Sequence, residues 1–105
     1  MNQLSPITSQ SALPALVSAT GERAQIRFLE FFAASIRNTY TRRDYAGAVG
    51  EFLAWCEGRG VASIAHVQPL HVAAFIEALS RARSAPTAKQ RLATIRRLFD
   101  WLVVG

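Results

Sequence analysis

The sequence predicts an all-α fold, a compact bundle of four main helices. Apolar residues recur at three- and four-residue spacings in four stretches, as helices with one buried face require. No stretch sustains the period-two alternation of a half-buried strand. Short connections separate the four stretches, which suits a bundle.

Residues 1–21 read as a flexible N-terminal tail. Ser, Thr and Gln dominate up to Ser11, and Pro6 and Pro14 interrupt any helix. The apolar run at 12–17 can dock but is too short to stand alone. The helical domain is expected over 22–105. Its first helix covers about 22–35, with Ile26, Leu29, Phe32 and Ala33 on one stripe; Phe28 and Phe31 broaden it, so two sides are covered. The second covers about 39–58. Asn38 is a natural N-cap; Thr41, Tyr45, Val49, Phe52 and Cys56 share a face, and Gly58 and Gly60 stop the helix. Residues 61–67 form a linker. A third helix starts at Pro69, where a missing N–H costs nothing, and buries Val72, Phe75, Ile76 and Leu79. Residues 80–85 read as a loop carrying Arg81 and Arg83. The fourth helix covers about 86–103, with Ala88, Leu92, Ile95, Phe99 and Leu102 facing the core.

The formal net charge is +5, and eleven of the twelve basic residues are arginine, Lys89 being the exception. Arginine presents a planar fork of donors that matches phosphate oxygens and base edges, so the balance points to an anionic partner. Cys56 is the only cysteine, which rules out an internal disulfide. Cys56, His66 and His71 lack the clustered spacing of a zinc site, and no cofactor is expected. His66 and His71 read as loop or cap residues. No apolar run is long enough to cross a membrane, no signal peptide is evident, and a cytoplasmic setting is expected.

The fourth helix carries the first candidate surface. Thr87, Gln90, Thr94 and Arg97 form an outward stripe of residue types that can bond base edges. Lys89, Arg91 and Arg96 flank it as phosphate contacts. A solvated face usually mixes both signs of charge, yet from Arg81 to Arg97 there are six basic residues and no acidic one. The start of the second helix is the other candidate. Arg37, Asn38, Thr39, Thr41, Arg42 and Arg43 surround a helix N-terminus, whose free N–H groups favour phosphate, although Asn38 and Thr41 serve equally well as cap and first-turn packing. Gly47, Gly50 and Ala54 share the face of Arg43. Two glycines inside a helix each cost roughly 1 kcal/mol against alanine; either a DNA backbone or another helix could be what approaches them. The third helix as predicted has no arginine and is expected to face away. Trp55 and Trp101 suit core or interdomain packing.

Three stretches in this order resemble one family. They are T-R-R-D-Y-A-G-A-V-G-E-F-L-A-W-C over 41–56, H-V-A-A-F-I-E-A-L over 71–79 and T-A-K-Q-R-L-A-T-I-R-R-L-F-D-W-L over 87–102. Together, over about 22–104, the chain is similar to the core-binding domain of tyrosine recombinases, the SAM-like N-terminal domain of phage integrases. The resemblance implies a half-clamp that grips duplex DNA at a recombination site for a separate catalytic domain of the same parent chain. It also implies other recombinase protomers as partners, and the starts of the second and fourth helices lying side by side. Family catalysis uses a tyrosine on a phosphodiester, with its helpers in a second domain that this chain is expected to lack. Tyr40 and Tyr45 are therefore not assigned as nucleophiles. A helical protein-interaction module with an incidental basic surface is the alternative. A helix-turn-helix regulator is disfavoured, because about ten residues join the second and third helices where that motif uses three or four.

Overall fold

The computed structural model describes residues 13–35 and 38–104. The expectations placed on residues 1–12, Arg37 and Gly105 lie outside the described residues. Five α-helices follow one another: α1 (Ala15–Ser18), α2 (Glu22–Ser35), α3 (Thr39–Gly58), α4 (Pro69–Ala82) and α5 (Ala85–Val104), with a 3-10 turn at Ile64–His66. No described residue lies in a strand.

Local chemistry fixes the boundaries. Asn38 is extended, and its Oδ1 accepts from the N–H groups of Tyr40 (2.8 Å) and Thr41 (3.2 Å), which satisfies two of the first-turn donors of α3. At the other end Gly60 takes φ +88°, open to glycine at no steric cost, and the Val61 N–H reaches back to the Cys56 carbonyl at 3.2 Å. His66 Nδ1 lies 2.8 Å from Ser63 Oγ, and His71 Nδ1 accepts from the Gln68 N–H at 2.9 Å; both histidines are loop and cap residues, as the sequence suggests. The expected loop over 80–85 is shorter than predicted. α4 continues to Ala82, because Arg81 pairs with Glu77 one turn back at 3.1 Å and Ser80 Oγ donates to the Ile76 carbonyl.

The expected tail is corrected at its C-terminal end. Pro14 sits at the N-cap of α1, where its carbonyl accepts from Val17 and Ser18, and Leu16 and Val17 are buried. α1 packs on α2 and α3, so the core begins well before residue 22. A single turn of helix persists there because its apolar pair is covered; propensity alone would not hold it.

α5 is the common partner of α2, α3 and α4. Its buried line is Ala88, Thr94, Ile95 and Leu98, rotated from the predicted Ala88, Leu92, Ile95, Phe99 and Leu102. Leu92, Phe99 and Leu102 are only half-buried. Leu92 and Phe99 join Val103, Val72 and Ile76 in a groove of about 710 Å³ between α4 and α5. The far end of α5 is tied to α2. Trp101 Nε1 donates to the Arg27 carbonyl (2.9 Å), Arg27 Nη2 donates to the Trp101 carbonyl (2.6 Å), and the guanidinium stacks 4.3 Å from the indole centroid. Arg27 thus serves a last-turn carbonyl that has no intrahelical partner. Trp55 stacks edge-on against Phe75, so both tryptophans pack within the domain. Cys56 is sealed from solvent, and burial pushes its thiol up from 9.0 to about 11, a small apolar core residue in effect.

Candidate nucleic-acid interface

The outer arc of α5 is basic. Lys89, Gln90, Arg96 and Arg97 are all exposed there, and Ala93 between them adds no bulk. Helical spacing brings these side chains onto one side because residues three, four and seven apart point the same way. Arg97 Nη1 donates to Tyr45 Oη at 3.3 Å, and its guanidinium lies 5.7 Å from the Tyr45 ring centroid. Lys89 and Arg96 have no ion pair among the described residues.

Two members of the predicted stripe are elsewhere. Thr94 is buried, 4% exposed. Its hydroxyl donates to the Gln90 carbonyl at 3.2 Å, which lets a polar side chain sit inside a helix seam without an unpaired donor. Thr87 is half-buried, 3.0 Å from the Ser84 hydroxyl, which also accepts from the Thr87 N–H; this pair caps α5. Thr94 is thus turned away from any base, while Thr87 stays partly open to solvent.

At the start of α3 the two adjacent arginines divide. Arg43 is exposed, whereas Arg42 is half-buried and its Nε donates to the Phe32 carbonyl at 3.1 Å. Phe32 is in the last turn of α2, so Arg42 caps that helix. Thr39 is exposed and Thr41 half-buried behind the Asn38 cap. Gly47 is exposed and Gly50 half-buried in a cleft beside α1 and α2, and a Cβ built on either meets nothing within 4 Å.

The side-by-side helix starts are not observed. Tyr45 meets Arg97, and Glu51 meets Arg91, so a forward step on α3 matches a backward step on α5. The helices are antiparallel. At 1.5 Å per residue their first residues lie about 27 Å apart along the seam, and Arg43 and Lys89 about 15 Å apart. Arg43 is instead level with the Arg96–Arg97 end of α5.

Glu51 is the residue that sequence reading missed. It faces α5 with Arg91 Nε at 3.2 Å from Oε1 and Arg83 Nη2 at 2.9 Å from Oε2. The acid-free run from Arg81 to Arg97 therefore acquires an acid in space. Forty residues separate Glu51 from Arg91, and no local pattern announces that pairing.

Among the described residues no group of His, Cys, Asp and Glu could hold a metal, and no helix is long and apolar enough to cross a membrane. No curated protein and no solved structure shows significant similarity to the chain. A family model described as the phage integrase N-terminal SAM-like domain matches residues 26–104, which takes in α3, α4 and α5 whole and most of α2. With that span, the all-helical architecture and the three matching stretches in one chain, the protein belongs to the phage integrase N-terminal SAM-like domain family.

Proposed function

We propose that this domain is a DNA-binding half-clamp of a tyrosine recombinase, gripping duplex DNA at a recombination site while a catalytic domain of the parent chain performs cleavage and rejoining. The observation that carries the reading is the exposed arc of Lys89, Gln90, Arg96 and Arg97 on α5, with Arg43 exposed near the start of α3. Lys89, Arg96 and Arg43 supply phosphate contacts and register. Gln90 and Arg97 are the base readers, Gln suited to adenine and Arg to guanine. Thr39 can contribute at the rim, and Arg91 is taken up below. Arg42, Thr41, Thr87 and Thr94 act through the fold that presents this face. Further protomers of the recombinase are the expected protein partners.

The test is fluorescence anisotropy on a mixed-sequence duplex at several salt concentrations. A half-clamp should bind on the order of 10⁻⁴–10⁻⁶ M at physiological salt. Replacing Arg43, Lys89 and Arg96 together by Gln should lower the log–log salt slope by about 0.9 per cation removed. Salt-independent binding, or full affinity in that triple variant, would replace this reading with the protein-interaction module. The apolar α4–α5 groove is the one feature that favours such a module.

A further inference from the structure

Three charged side chains from three places in the chain converge at the α3–α5 seam. Glu51 lies on α3, Arg83 follows the last residue of α4, and Arg91 is two turns into α5. Both carboxylate oxygens of Glu51 are taken: Oε1 by Arg91 Nε (3.2 Å) and, more weakly, Arg83 Nη1 (3.5 Å), and Oε2 by Arg83 Nη2 (2.9 Å). The side chains of Arg83, Glu51 and Arg91 are 45%, 31% and 22% exposed. The cluster therefore sits at the mouth of the seam.

The geometry leaves donors unused. Arg91 is held only through Nε. Its two terminal nitrogens have no partner among the described residues, and they are not among the buried unpartnered atoms. A guanidinium bonded along its Nε edge cannot swing freely, so those terminal N–H groups are held in one orientation. One turn before Glu51 the helix surface is bare at Gly47, where even a methyl group would meet nothing within 4 Å. A bulky anion can come close to the α3 backbone there and still reach the arginines.

We propose that Arg83, Glu51 and Arg91 form a phosphate fork in which Glu51 determines selectivity. Resting on the DNA-binding reading above, this adds, on the side of α5 turned toward Glu51, a specific phosphate site and a restraint on it. Glu51 holds the two guanidiniums in place and cancels one of their two positive charges. The fork then adds little to general attraction for polyanions. It contributes fully only when a phosphate is held in register against the exposed turns of α3 at Arg43 and Gly47, since an aligned contact to an oriented guanidinium is stronger than diffuse attraction.

The experiment compares the wild-type chain with Glu51→Gln on two probes, a mixed-sequence 20-base-pair duplex and flexible inorganic polyphosphate, across a salt series. Glu51→Gln should bind the duplex roughly fivefold more tightly at low salt, the effect of one unit charge a few ångströms away in water. Its salt slope should steepen by about 0.9. The gain on polyphosphate should exceed the gain on duplex, so the preference for duplex narrows. Arg91→Gln should lose duplex affinity while leaving polyphosphate binding nearly unchanged, and thermal melts confirm that each variant is folded. An unchanged slope in Glu51→Gln, equal gains on both probes, or full duplex affinity in folded Arg91→Gln overturns the fork. None of these outcomes bears on the triple replacement of Arg43, Lys89 and Arg96, whose failure would remove DNA binding itself.

Discussion

α5 has two long seams, and they are built on different chemistry. Against α3 the seam is closed by polar pairs at its rim, Arg97 on Tyr45 and Arg91 with Arg83 on Glu51, over buried Thr94 and Leu98. Against α4 the seam is apolar and stays open as the groove lined by Val72, Ile76, Leu92 and Phe99. The basic arc of α5 borders both. The polar seam orients its cations: a guanidinium that leans on a tyrosine or a carboxylate keeps a fixed direction. The apolar seam offers Arg96 no such partner among the described residues. One helix can thus carry both oriented and unrestrained positive charges, according to which neighbour stands beside each.

The largest effect that could break this comparison concerns leucines on the two sides of α5. Leu98 is fully buried, and Leu98→Ala should lose about 2–5 kcal/mol in urea titration. Leu92, half-buried in the groove, should lose less on the same change. Equal losses would mean that the groove side is as tightly packed as the core. Next comes the buried thiol of Cys56. The Cys56 pKa is raised to about 11 from 9.0, so the folded state holds its proton more tightly than the unfolded chain. The associated stability is complete below pH 9, declines as pH rises from 9 towards 11, and amounts to about 3 kcal/mol. Urea midpoints of wild type and Cys56→Ala across that window measure it, and a wild-type decline no steeper than the variant's would show the thiol to be hydrated. Gly47→Ala is a smaller effect of opposite sign: helical, open and free of clash, it should gain about 0.5–1 kcal/mol. A loss would place an unseen neighbour over that turn. Smallest of all, Arg81→Gln should leave duplex affinity unchanged within error, since Arg81 is on α4 and already paired with Glu77.

Helix boundaries were the most legible part of this sequence. The second helix was read to the residue, because Asn38 and Gly60 act through their own backbone chemistry and need no tertiary context. The phase of α5 was harder. Its apolar residues form one wide band, and only the positions of α3 and α4 decide which part of that band becomes core and which part groove. Leu98 was passed over and Thr94 was turned outward, because a hydroxyl satisfied by its own helix looks polar in a sequence and behaves as filler in a seam. Of the candidate contacts, Lys89, Gln90, Arg96, Arg97 and Arg43 are exposed as expected, while Arg42 is drawn in to a helix end and Arg91 to Glu51. Both diversions depend on partners that only the fold brings near.

The reciprocal bonds between Arg27 and Trp101 join residues 74 positions apart. During synthesis α2, α3 and α4 leave the ribosome before the helix that covers all three. Until α5 has emerged, Phe31 lacks its Trp101 neighbour and Phe52 lacks Phe99. The nascent domain is most exposed to chaperones and proteases until α5 has emerged and docked.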